Sequence, residues 1–281
     1  MLETDVRLTK DNVLIVCHDE DLVRLCGKAV KVRETNFADL PKLLNKMPMH
    51  FSALNKDAEF KTYERKKSDQ DRFSSLEEVF TEIGKEIPFS IELKDQNCPE
   101  AAKALIELIQ KFDRHQTTAI GGEEVVITKQ LLALDNGIST FCGKQDLIKI
   151  TIAYLTGFLH YLHIDREVAA LPYMTKDFIK MKETEREAAD TLFKKGFLTF
   201  YIYVGQLANM TFNNALLHLQ RRGIYTIYWV LNEEAEMLHL VLGSKVEGIM
   251  TDRPELLRAY VDKQNLQDQM RKPSKSFKKA N

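Results

Sequence analysis

An α/β fold, with a parallel sheet wrapped by helices, is the class this sequence predicts, and three observations carry the prediction. Short β-rich runs alternate with helix-period segments along the chain, which suits parallel strands joined by crossover helices better than a sandwich. Recognisable helix starts and stops lie between the runs. The 281 residues, 44% hydrophobic with 12 glycines and 7 prolines, suffice for one large domain.

The first strand is expected over 2–8. In Leu2-Glu3-Thr4-Asp5-Val6, the period of two puts Glu3 and Asp5 on one face and Leu2, Thr4 and Val6 on the other. Thr9-Lys10-Asp11-Asn12 reads as a turn into a second strand, 13–17, which delivers His18-Asp19 at its carboxyl end. Residues 49–72 are charged, poor in aliphatics and without period, an excursion off the scaffold such as a lid or rim loop. Ser74-Ser75-Leu76-Glu77-Glu78 supplies a hydroxyl cap and first-turn acids for a helix before the strand at 88–93. Pro99 opens an amphipathic helix reaching Phe112, with Leu105, Ile106, Leu108 and Ile109 as its apolar residues.

Strands follow at 117–120 and 138–141. The stretches 150–164 and 196–220 carry no formal charge, yet neither is apolar enough for a confident membrane span. They suit buried helices or, through Tyr154, Phe158, Tyr161, Phe200, Tyr201 and Tyr203, an interfacial anchor that lifts a lipid toward the site; the aromatics tilt the reading to the anchor. Strands at 224–231 and 246–250 flank a helix that Asn232 caps, Glu233 and Glu234 open, and Gly243 stops. The domain thus occupies 1–262, and 263–281 form a basic tail with the composition of a disordered end.

With 40 basic residues against 41 acidic ones, nothing in the charge balance points to nucleic acid. The 4 cysteines show neither CxxC spacing nor a zinc pattern, and two sit in apolar runs that suit a reduced thiol, which favours a reducing, cytosol-facing environment. The expected partners are small or lipidic; the oligomeric state is not legible.

Two carboxylates sharing a strand face repel unless positive charge lies between them, so Glu3 and Asp5 suggest a divalent cation, the alternative being a solvent-facing edge strand. His18 stands at a strand's carboxyl end, where parallel folds collect reactive groups. In Phe89-Ser90-Ile91-Glu92-Leu93-Lys94, Glu92 and Lys94 point to one side. They form either a plain ion pair, or a cation ligand beside a lysine that neutralises a phosphate oxygen.

Taken in order, Glu-x-Asp at 3–5, Leu-Thr-Lys-Asp at 8–11, Val-x-x-His-Asp within 13–19 and Ile-Glu-Leu-Lys at 91–94 resemble the glycerophosphodiester phosphodiesterase family. Tyr228-Trp229-Val230-Leu231-Asn232 and Gly248-Ile249-Met250-Thr251-Asp252-Arg253-Pro254 extend the resemblance to about Tyr260, most closely to the membrane-associated lysophospholipase D branch. The resemblance implies a (β/α)8 TIM-barrel that begins at its second strand, without the family's His-Arg strand. It implies that Glu3, Asp5 and Glu92 ligate Ca2+ or Mg2+, that His18 serves as acid/base group or further ligand, and that Lys94 and Trp229 contact substrate. The implied activity is hydrolysis of lysophospholipids or glycerophosphodiesters at a membrane surface facing the cytosol, at the endoplasmic reticulum or around the nucleus. The products are lysophosphatidic acid and a free head group. The alternative is a catalytically silent, truncated form that binds cation or lipid and regulates a full-length relative. Residues 117–122 read Thr-Thr-Ala-Ile-Gly-Gly where family members often carry a bulky aromatic.

Overall fold

The computed structural model describes residues 1–50 and 61–263. Strand β1 (Leu2–Leu8) turns back through Asn12, whose φ of 63° suits an asparagine, into antiparallel β2 (Leu14–Val16). Helix α1 (Val23–Cys26) follows, ended by Gly27 at φ 67°. Just before the expected excursion, β3 (Lys46–Pro48) pairs antiparallel with β4 (Thr62–Glu64) inside it, and residues 51–60 of the excursion lie outside the described residues.

The regular alternation begins with α2 (Leu76–Glu82), opened by the capping box that the sequence predicts. Ser75 Oγ accepts from Glu78 N at 3.1 Å, while Glu78 Oε2 accepts from Ser75 N at 2.8 Å. Then come β5 (Phe89–Leu93), α3 (Pro99–Lys111), β6 (Thr118–Gly121), α4 (Val125–Leu134), β7 (Ser139–Thr140) and α5 (Lys144–Leu155). The second half runs β8 (Val168–Pro172), α6 (Lys176–Ala188), α7 (Leu192–Thr211), α8 (Asn213–Arg221), β9 (Tyr225–Trp229), α9 (Glu234–Gly243), β10 (Gly248–Ile249) and α10 (Pro254–Lys263). The tail expected from 263 onward lies outside the described residues after Lys263.

The strands form two ladders, β2-β1-β5-β6-β7 and β10-β9-β8, parallel throughout except for β2. A single parallel bridge, Phe141 to Val168, joins them. Among the described residues no ladder links β10 to β1.

Strand period decides what faces where. Val6, Leu8, Phe89, Ile91 and Leu93 point outward and are buried under Leu105, Ile109, Ile127 and Leu131 of α3 and α4. A second outer layer packs Ala169, Leu171 and Tyr228 against Ala215, Leu216 and Leu219 of α8. Burying each such Leu or Ile side chain is worth about 1.5–3 kcal/mol, so these two layers hold the helices to the sheet. The alternate residues face inward. Ala119, Phe141, Val168 and Ile227 close an apolar plug inside the sheet's curve.

Three expectations need amendment. Asn232 does not cap α9: Glu233 occupies that position without a side-chain cap bond, and the amide of Asn232 binds the 251–252 turn instead. Gly243 is the last residue of α9 rather than its stop. Strand β8 was not anticipated, because Val-Ala-Ala-Leu-Pro is short and lacks alternation.

Candidate active site

Parallel register decides which polar side chains share the inner face. Asp5 lies opposite Glu92 across the β1–β5 ladder, and Glu3 lies opposite Ser90. Lys94, just past β5, returns toward this face and places its Nζ 3.1 Å from Asp5 Oδ1 and 2.9 Å from Glu92 Oε1. The positive charge that the sequence argument asks for between carboxylates is therefore supplied in part by Lys94. Burial works against its ammonium, but Asp5 and Glu92 outweigh that and raise its pKa.

One lysine leaves this face short of positive charge. Glu3 is exposed to solvent. The protein around it, then Asp5 and Glu92, nevertheless raise its carboxyl to about 8, with Lys94 opposing and Asp252 adding. Glu92 is raised by burial, which Lys94 only partly counters. Asp252 is raised by burial as well, with a bond from Asn232 opposing. Oxygens this short of positive charge suit a hard divalent cation such as the implied Ca2+ or Mg2+ by chemistry, but in the structure Glu3, Asp5 and Glu92 do not bring their ligand atoms within 4.8 Å of one another.

His18 arrives from the other side. Cys17 N donates to Asp5 O at 3.0 Å, which sets the end of β2 beside the acids, and Arg7 Nε holds the His18 carbonyl at 2.9 Å. His18 Nδ1 lies 2.9 Å from Asp19 Oδ1. Arg24 donates to both oxygens of Asp19 at 2.7 Å. Burial would raise Asp19, but the bonds from His18 and Arg24 prevail and hold it well below the usual carboxylate range. An ionised Asp19 can only accept, so Nδ1 carries the proton and Nε2 is the nitrogen left for chemistry.

Arg24 also reaches the excursion, donating to Pro48 O at 2.9 Å. Beyond Pro48, the ring of His50 lies 4.3 Å from that of His18, tilted by 48°. Partial desolvation, then His18 and Arg24, lower His50 to about 4. Among the described residues, His18, Asp19 and His50 are the group whose ligand atoms all lie within 4.8 Å of one another.

Trp229 ends β9 at the same edge of the sheet. Its Nε1 donates to Ala170 O at 2.9 Å and its ring meets Phe178 edge-on at 5.5 Å. The structure thus brings Asp5, Glu92 and Lys94 into direct contact and sets Glu3 and His18 around them. Trp229 is held on the β8–β9 side by Ala170 and Phe178. The wall that lacks an aromatic at 117–122 receives one from the next strand: the Phe141 ring covers Gly121, 2.9 Å from where a Cβ would stand. Asp19, Arg24, His50 and Asp252 were not assigned to the site from sequence, and Asn232 was read there only as a helix cap. The His-Asp pair and the Thr-Asp turn were visible there, but no local pattern connects His50 or Arg24 to the site.

Comparisons with known proteins give the family and the fold. The glycerophosphoryl diester phosphodiesterase family matches residues 1–256. Lysophospholipase D GDPD1 of Homo sapiens is 29% identical over 263 residues, spanning 93% of this chain and 76% of that protein. Lysophospholipase D GDPD3 of Mus musculus is 26% identical over 97% of this chain and 76% of its own length. Among solved structures, a glycerophosphodiester phosphodiesterase from Thermotoga maritima aligns with a TM-score of 0.53 at 19% identity, covering 92% of this chain and 83% of that one. An Oleispira antarctica phosphodiesterase, in complex with the product sn-glycerol-3-phosphate, aligns with a TM-score of 0.55 at 16% identity, covering 92% and 84%. These structural likenesses establish the TIM-barrel fold.

Proposed function

The chain belongs to the glycerophosphoryl diester phosphodiesterase family, a family of phosphodiesterases, and from that premise we propose that it is a divalent-cation-dependent hydrolase of lysophospholipids or glycerophosphodiesters. From a lysophospholipid its products are lysophosphatidic acid and a free head group. The observation that carries the reading is the Asp5–Lys94–Glu92 bridge, with Glu3 beside it and the His18–Asp19 pair facing it.

Glu3, Asp5 and Glu92 would hold the cation, which would supply polarisation of the phosphoryl oxygens. Lys94 sits between two of those ligands and neutralises charge on the phosphate. His18, fixed by Asp19 through Nδ1, exchanges a proton through Nε2 with the attacking or departing oxygen. Trp229 presents its ring to the alcohol or acyl part of the substrate, its N–H being committed to Ala170.

A membrane surface completes the reading. No described helix is long and apolar enough to cross a bilayer. Helix α7, however, leaves Phe193, Phe200 and Tyr203 84%, 63% and 71% exposed. Aromatics in that state suit an interfacial helix that takes a single-chain lipid from the bilayer. Cys17, Cys26, Cys98 and Cys142 are all free thiols, in keeping with a cytosol-facing site.

The test is release of choline from lysophosphatidylcholine by the purified chain, with Ca2+ or Mg2+ and then with a chelator. Cation-dependent release is expected. Absence of release under every cation would overturn the reading.

A further inference from the structure

The excursion hairpin does more than border the site. Its β3 strand is fastened through the Pro48 carbonyl to Arg24, the same guanidinium that clamps Asp19. The chain leaving that anchor sets the His50 ring against His18. His50 is exposed, so a ligand can reach it.

The charges around His50 select the sign of that ligand. His18, Arg24 and Lys94 present basic groups to it, and Asp19 is the acid that opposes them. Asp19 is itself engaged, since both of its oxygens accept from Arg24 and one also meets His18. A cation placed among His18, Asp19 and His50 would have to share Asp19 with a guanidinium 2.7 Å away. An anion there meets Lys94, Arg24 and two imidazoles.

Resting on the phosphodiesterase reading above, we propose that His50 contacts the substrate, donating a hydrogen bond from its ring N–H to a phosphoryl oxygen across from His18. A neutral imidazole carries one such donor, and a hydrogen bond to a charged oxygen is stronger than one between neutral groups. His50 then belongs to the phosphate site, and Arg24, through Pro48, is the strut that sets its distance from His18.

The experiment compares the full chain with His50→Ala, His50→Asn and His18→Ala. It measures the affinity for sn-glycerol 3-phosphate by calorimetry and kcat/KM for lysophosphatidylcholine. His50→Ala is expected to weaken phosphomonoester binding about 10-fold or more, the worth of one hydrogen bond to a charged group, and to lower kcat/KM by at least as much. His50→Asn, which keeps an N–H donor, recovers part of both. An unchanged melting temperature establishes that the variants are folded.

Binding by His50→Ala equal to wild type, with His18→Ala impaired, overturns the proposal and leaves the phosphodiesterase reading standing. A wild type that binds the phosphomonoester through His50 but releases no choline overturns the hydrolytic reading alone. A wild type that binds no phosphomonoester overturns the proposal whatever its activity.

Discussion

Arg24 grips both oxygens of Asp19 at 2.7 Å, and Asp19 in turn holds His18 at 2.9 Å, so a half-buried guanidinium fixes the tautomer of the imidazole at the site. Asp19→Asn keeps the shape but lets the amide donate to Nδ1, which moves the imidazole proton to Nε2. The expected result is a kcat reduced about 10²- to 10⁴-fold, the usual worth of a positioned acid/base group, with little change in KM. Steady-state rates on lysophosphatidylcholine check it, and a kcat within a factor of two of wild type would count against an acid/base role for His18.

Glu3 gives a pH signature. Its folded carboxyl titrates near 8 against the ordinary 4.5, so between those values the folded state binds more protons than the unfolded one. Stability attributable to Glu3 therefore falls as pH rises from about 4.5 through 8, the slope being negative wherever the native state is the more protonated. Solvent reaches Glu3 and screens the effect, so the expected loss in Tm is a few degrees, at about 2–4 °C per kcal/mol for a chain near this size. Glu3→Gln should flatten the slope in melting curves recorded in the presence of a chelator, and added Ca2+ should flatten it in the wild type.

Lys94→Met removes the ammonium between Asp5 and Glu92 while keeping most of the side-chain volume. Two half-buried carboxylates then face each other without it, and breaking such a pair costs about 3–5 kcal/mol where burial is complete, less here. The variant should melt lower, bind divalent cation at least as well, and lose turnover. Cation titration monitored by melting temperature separates these effects.

Gly121 has no room for a methyl group because the Phe141 ring occupies that space. Gly121→Ala is expected to cost about 1–3 kcal/mol by overpacking. Pairing it with Phe141→Leu should return part of that loss, and a double-mutant cycle in urea measures the coupling.

Phe200→Glu with Tyr203→Glu on the exposed face of α7 should lower recovery of the protein with phospholipid vesicles. Cleavage of water-soluble glycerophosphocholine should stay as in wild type. Co-sedimentation and choline release, run side by side, decide whether α7 meets lipid.

The legible part of this protein was what local period and local chemistry encode. The alternation of 2–8 placed Glu3 and Asp5 on one face, and the register with β5 does set Asp5 opposite Glu92. Ser75 and Glu78 announced a helix start that forms as written. Lys94 was read with two meanings, and its contacts with Asp5 and Glu92 make the ion pair a fact while leaving its service to a phosphate as a proposal. What escaped were relations fixed by tertiary packing. No local period marks Pro48 and His50 as site residues, because a contact distant in sequence, Arg24 on Pro48, anchors the chain just before His50 meets His18. Asn232 carries a good capping side chain, but the Thr251–Asp252 turn competes for it and wins with bonds to both its amide nitrogen and its carbonyl.

The join between the two ladders is narrow: β7 contributes two residues, and the bridge from Phe141 to Val168 is reinforced by the bonds Cys142 N to Val168 O and Glu167 N to Thr140 O. The curved sheet is in effect two shells sewn by a few stitches, each shell backed by its own helices. Thermal opening should start along that seam, parting the acid-bearing shell from the one that holds Trp229, so the width of the cleft is set far from its floor.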